Sequence, residues 1–246
     1  MSSPHERELA YHERLYSGFA QSHFARPAVR ALRAHMVHRI LRRTGVTQRS
    51  RVLSLGCGIG DTELLLAPHV GEVVGVDLSP AAIRQARADA ERLGIRNARF
   101  KLGTEVDGRF DAAIAIFFLH HLPDDELAAL PHKLRAQMPE GVFYSLDPSR
   151  RRLSGVVGRL LIPGLMKRYQ TEDERELVPE ETRGFFEVAG WKADVSLYDF
   201  GSSPLAGLFP GWAGGYRMAR AVDDAILRAP WLARRGSNFE ILARLG

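Results

Sequence analysis

The chain has 246 residues, of which 45% are hydrophobic and 26% charged, with a formal net charge of +5. That mixture supplies a packed core, and the longest apolar run, Leu153 to Met166, carries Arg159 and Pro163 and falls short of the roughly 18 residues of a spanning helix. One cysteine, Cys57, excludes an internal disulfide, and the first residues lack the apolar stretch of a signal peptide, so the expected compartment is the cytoplasm.

From Pro27, the residues Val29, Leu32, Met36 and Ile40 recur at helical spacing until Gly45. Arg51 to Leu55 reads as a short strand ending at a glycine turn, with a helix over Glu63 to Ala67 behind it. Glu72 to Asp77 is a second strand. Ser79 and Pro80 then offer an N-cap and a first-turn proline to a helix whose Ile83, Ala86, Ala90 and Leu93 share one face until Gly94. Strands follow at 98–103, 111–116 and 142–146, with a helix over 125–137 before the last. Strands interleaved with helices predict a mostly parallel sheet closed by right-handed crossovers.

After Asp147 the rhythm breaks. Residues 148–175 mix Arg150, Arg151, Arg152, Arg159, Lys167 and Arg168 with apolar residues, and read as an insertion covering a site. Helix resumes near Pro179 and ends at Gly190, while Val195 to Phe200 and Phe239 to Arg244 look like an antiparallel pair of edge strands separated by a helix over Tyr216 to Leu227. The expected fold class is therefore α/β. It is a single domain with a doubly wound, Rossmann-like sheet, an antiparallel edge strand, helices on both faces and a helical lid. Its parts are an N-terminal helical segment (1–45), a ligand-binding core (46–147), the lid (148–178) and a C-terminal part of sheet and helical cover (179–246).

The most informative run is VLSLGCGIGDTE, Val52 to Glu63, with glycines at 56, 58 and 60, followed by VVGVDLSP, whose strand ends in Asp77. In an open α/β sheet a ligand sits beyond the carboxyl ends of the strands, where glycines let the backbone approach it and an acid on the next strand accepts bonds from ribose hydroxyls. A dinucleotide fingerprint would place its last glycine at 61, where this chain has Asp61; the GxGxG form, with Gly60, favours S-adenosylmethionine (SAM).

On these residues the chain, over roughly 45–150, resembles the class I SAM-dependent methyltransferases. The resemblance implies SAM as cofactor and S-adenosylhomocysteine as product, with Gly56, Cys57, Gly58 and Gly60 under the methionine part, Asp77 on the ribose and Leu78 against the adenine. Thr104 stands where an adenine-binding acid is usual, beside Glu105, and Ile116 closes the fourth strand at the site. LHHL, Leu119 to Leu122, is similar to a subgroup acting on quinones, lipids and other small metabolites. In such proteins an N-terminal segment often folds over the cofactor, which brings Tyr11 or Tyr16 to its carboxylate; the same aromatics equally suit packing of a helix on the sheet.

His120 and His121 are the candidate bases, since an imidazole near neutrality accepts a proton; they equally suit bonding to backbone or shaping the pocket. No Asn/Asp-Pro-Pro-aromatic run follows Ile116, no acid for a divalent metal stands there, and Cys57 lies in the cofactor turn, which weighs against nucleic acid as substrate and against a metal. The expected activity is methyl transfer to a small, apolar or aromatic acceptor of quinone, phenol or lipid type. The alternatives are a non-catalytic SAM- or ligand-binding protein on the same fold and a nucleic-acid methyltransferase. The basic 150–168 segment is open to three readings: a solvated helix face, peripheral membrane contact or phosphate binding.

Overall fold

The computed structural model describes residues 25–152, 176–229 and 235–245. Tyr11, Tyr16, most of the 148–178 insertion and hence most of the 150–168 basic segment lie outside them. In chain order the elements are α1 (Pro27–Thr44), β1 (Arg51–Leu55), α2 (Asp61–Leu66), β2 (Glu72–Asp77), α3 (Pro80–Arg92), β3 (Ala98–Leu102), β4 (Ala112–Ile116), α4 (Asp124–Gln137), β5 (Val142–Pro148), α5 (Pro179–Val188), β6 (Trp191–Asp199), α6 (Ser202–Leu208), α7 (Ala213–Ile226) and β7 (Asn238–Leu245).

The strands form one sheet in the order β3-β2-β1-β4-β5-β7-β6. The first five named in that order run parallel, while β7 lies antiparallel between β5 and β6, so the expected antiparallel pair occupies one side of the sheet with β6 at its margin. Strand order reverses between β1 and β4, both flanked by neighbours and nearly fully buried, and a crevice opens at such a reversal beyond the strand ends.

Alternation along the strands sorts the core into two layers. Val52, Val73, Ile114 and Tyr144 face α1, α2 and α3 through Met36, Ile40, Leu66 and Ile83, with Ala206 and Tyr216 of α6 and α7 on the same side. Leu53, Val74, Ala113 and Phe143 face α4 and α5 through Leu127, Leu134 and Phe186. Helix ends follow the sequence: Gly45 stops α1 at φ 76, and the Ser79 hydroxyl accepts the Ala82 N–H to start α3.

One buried charge ties α1 to the sheet. Glu240 of β7, fully buried, accepts from Arg39 Nε at 2.8 Å, from the Tyr144 hydroxyl at 2.6 Å and from Ser196 Oγ at 2.8 Å, and Arg39 NH2 also closes on it. A buried carboxylate is tolerated because each oxygen is paired.

Two elements differ from expectation. β6 starts at Trp191, four residues before Val195, because the Trp191 ring packs edge-on to Phe186 at 6.2 Å and its Nε1 donates to Pro131 O at 3.1 Å. α6 was not anticipated: its sequence, SSPLAGL, carries neither charge nor strong periodicity. It forms because two carboxylates, one of them distant in sequence, take its first N–H groups. Asp223 accepts from Gly201 and Ser202 at 3.0 and 2.8 Å, and Asp199 accepts from Ser203 at 2.7 Å.

Candidate functional site

A cavity of about 760 Å³ opens at the carboxyl ends of β1, β2 and β4, where the strand order reverses. Its walls include Gly56, Cys57 and Gly58 from the turn after β1, Asp77 and Leu78 from the end of β2, and Thr104 from the turn after β3. Ile116, His120 and His121 line it from the end of β4 and the 3-10 turn Leu119–His121. Gly60 does not: at φ 75 it starts α2, and a Cβ there would lie 2.6 Å from the Phe100 ring, so it is required for packing α2 against β3. Gly56 is equally constrained, since a Cβ would meet Phe118 Cδ2 at 2.2 Å.

Asp77 shapes the turn. Its Oδ2 accepts the Gly58 N–H at 2.8 Å and its Oδ1 accepts the Ser79 N–H at 2.8 Å. Burial pushes its carboxyl above the ordinary range, opposed by those N–H groups and by the nearby His121. With the Leu78 N–H a third backbone donor to it, the carboxylate still has accepting capacity for a hydroxyl donor in the cavity. Leu78, 38% exposed, presents an apolar surface beside it. Cys57 is buried against Gly75, and burial together with Glu63 and Asp77 holds its thiol well above its usual range, so it remains protonated and unreactive.

The same cavity carries the histidines. His120 is nearly buried, and its Nδ1 lies 2.9 Å from Oδ1 of Asp147, a fully buried residue near the end of β5. The same oxygen accepts the His120 backbone N–H at 3.3 Å. With Oδ1 of Asp147 as the acceptor, Nδ1 is the donor of this pair, and Nε2 is then the nitrogen left to accept. The His121 ring stacks on His120 with centroids 4.0 Å apart. Phe117, between β4 and this turn, has φ 55, the one positive value outside glycine among the described residues. Such a conformation costs about 1–3 kcal/mol, held here by the Phe117 N–H donating to Leu146 O at 2.7 Å.

Four contributors were not singled out in the sequence: Asp147, Phe117, Glu63 and Arg33. Asp147 lies one residue from the end of its strand, much as Asp77 ends β2, a parallel visible in the sequence. Arg33 of α1 lines the cavity, pairs with Asp61 at 2.7 Å and donates to Thr62 Oγ1 at 3.2 Å, which no local pattern reveals. Glu63 of α2 also lines the cavity, is buried, and holds Ser54 Oγ at 2.5 Å.

Burial lifts the Glu63 carboxyl from 4.5 to about 7, against the Ser54 bond that lowers it. A carboxyl raised on folding stabilises the fold fully below pH 4.5, and that stability is lost as pH rises through about 7. At about 1.4 kcal/mol per pH unit the loss is about 3 kcal/mol. In urea denaturation of the protein alone, Glu63→Gln removes this slope and leaves the variant more stable than the wild type at about pH 8; an unchanged slope would place the titration elsewhere.

Among the described residues no group of three or more His, Cys, Asp or Glu is placed to hold a metal ion, and no helix is long and apolar enough to cross a membrane.

Residues 52–141 match a family model described as a methyltransferase domain. An uncharacterized methyltransferase, YcgJ of Bacillus subtilis, is 35% identical over 102 residues, 39% of this chain and 40% of that protein. A ubiquinone biosynthesis O-methyltransferase of Methylobacterium nodulans is 29% identical over 146 residues, 56% of this chain and 58% of that protein. The chain thus spans less than two thirds of either. An uncharacterized RNA methyltransferase of Thermosynechococcus vestitus is 37% identical over 75 residues, 17% of its length. The fold is shared with the DhpI-SAH complex structure at a TM-score of 0.61 and 18% identity, over 98% of this chain and 96% of that one.

Proposed function

We propose that this chain, a member of the class I SAM-dependent methyltransferases, transfers the methyl group of SAM to a hydroxyl on a small, largely apolar acceptor, with His120 as the general base. The observation that carries this is one cavity lined both by the glycine turn and Asp77 and by a histidine held 2.9 Å from a buried carboxylate.

The residues present fit the cofactor. Asp77 would offer an accepting carboxylate to the ribose, Leu78 and Ile116 apolar contact to a purine, Thr104 a hydroxyl to its amino group, and Gly56 and Gly58 would allow close approach of the backbone. A volume of about 760 Å³ lies in the upper part of the range for small-molecule pockets. Tyr16 is a further candidate for the carboxylate of SAM.

When bound, SAM supplies an electrophilic methyl group on a sulfonium. The chain's part is alignment and proton removal. Asp147 keeps His120 in the tautomer whose Nε2 accepts the hydroxyl proton, and stabilises the imidazolium that results. His121, electrostatically coupled to Asp77, belongs to the cofactor side.

The test is mass-spectrometric detection of methyl transfer from SAM to a panel of hydroquinones, catechols and phenols, with the RNA pool of a bacterial lysate as comparison. Methylated phenol with wild type and none with His120→Ala supports this function. Saturable SAM binding without any transfer would make the protein a non-catalytic binder, and methylation of RNA alone would replace the acceptor class.

A further inference from the structure

Helices α6 and α7 leave a large apolar surface without a partner among the described residues. α7 turns Tyr216, Arg220 and Asp223 inward and presents Met218 and Val222, 69% and 57% exposed, outward together with Ala221 and Ala225. Ahead of it, Leu208, Phe209 and Trp212 are also exposed, the last two with ring centroids 6.5 Å apart in an edge-on pair. Isolated exposed apolar residues are ordinary, but five large ones on consecutive elements form a patch of the kind that marks an interaction site.

The charge around this patch has one sign. No acid occurs from Phe200 to Val222, nor from Ala25 to Thr44, the segment containing α1. The Ala28 N–H donates to Pro210 O at 2.8 Å, so the start of α1, with exposed Arg26 and Arg30, borders the α6–α7 connection. Arg217 and Arg228 flank the apolar stripe on α7. The exposed acid of α7, Asp224, is paired with Arg220 at 2.8 Å, and Asp223 is buried.

We infer that the α6–α7 face, rimmed by the start of α1, docks on the surface of an anionic lipid bilayer. An apolar stripe with arginines at its borders inserts aliphatic and aromatic side chains at headgroup depth while the guanidinium groups stay with lipid phosphates. A second copy of this chain would bring two cationic rims together, which is repulsive. Nucleic acid would use the arginines but leaves Met218, Val222 and Leu208 without a role. The face also lies at the catalytic end of the sheet: α6 begins just after β6 ends at Asp199, which pairs with Asn238, and Asn238 pairs with Pro148, next to Asp147. Docking there sets the cavity's end of the molecule toward the bilayer.

Flotation of the full chain with phosphatidylcholine vesicles containing phosphatidylglycerol tests this, with pure phosphatidylcholine vesicles and a single-stranded RNA as comparisons. Wild type is expected to float with the anionic vesicles, less so as salt rises. Met218→Ser with Val222→Ser, and separately Arg217→Glu, are each expected to weaken binding about tenfold. Circular dichroism and SAM affinity stay unchanged in both variants, because these residues touch neither core nor cavity. Dependence on these residues separates this face from the basic 150–168 segment of the same chain. Failure of wild type to float, flotation indifferent to the substitutions, RNA binding without vesicle binding, or a dimer in sedimentation that the Met218/Val222 variant disrupts would each overturn the inference.

Discussion

Replacing Asp77 by alanine lowers SAM affinity by about a hundred- to a thousandfold in calorimetric titration. Two effects add. The carboxylate offers a charge-assisted bond to a ribose hydroxyl, worth about 1.5–3 kcal/mol, and every 1.4 kcal/mol is about a factor of ten. It also braces the turn from both sides, through the Gly58 N–H and the Ser79 N–H, so its loss frees the backbone that must approach the ligand. Asp77→Asn keeps one accepting oxygen and the shape, and falls between wild type and alanine. If alanine bound SAM as tightly as wild type, the ribose would not be held by Asp77, and the assignment of the whole glycine-turn wall would fail with it.

The second large effect is at the histidine. His120→Ala is expected to lower turnover on a phenolic acceptor by about 10²–10⁴, the usual contribution of a positioned base, with SAM affinity within about twofold of wild type. Asp147 acts through His120 and does not line the cavity, so its signature differs. Asp147→Ala leaves Nδ1 without the carboxylate that fixes the tautomer, and lowers kcat while KM for the acceptor holds. Asp147→Asn, whose amide oxygen still accepts from Nδ1, restores part of kcat. His121→Ala leaves kcat nearly intact and weakens SAM binding instead. Turnover unchanged by His120→Ala would mean that the acceptor arrives already ionised or needs no base.

Most of what positions this site was legible before the structure, because it rests on local chemistry. Gly45, Ser79 and Pro80 mark helix ends through capping geometry, and an Asp at the end of a strand one crossover after a glycine turn can be read from spacing alone. Gly60 shows how such reading overreaches. Its positive φ was foreseeable, but that it packs on Phe100 instead of lining the cavity depends on where β3 lies. α6 was illegible for the same reason, since the carboxylates that cap it come from the end of β6 and from α7. The His120–Asp147 contact joins residues on neighbouring strand ends, and only the register of β4 against β5 brings them together. Arg33, far along the chain from Asp61, is invisible to any pattern of short range.

The place of β7 bears on how the molecule is made. Among the described strands it is synthesised last, yet it sits between β5 and β6, with Tyr144 opposite Leu242 and Ala193 opposite Ala243. While the chain emerges from the ribosome, the parallel strands can assemble in sequence, but β5 keeps a bare edge and β6 lacks its described neighbour until β7 arrives. An unpaired apolar edge recruits other chains, and pairings between distant segments form slowly. Nascent copies on one messenger are therefore vulnerable to sticking together until β7 has emerged, and a chaperone that shields β5 through that interval would protect the yield of folded protein.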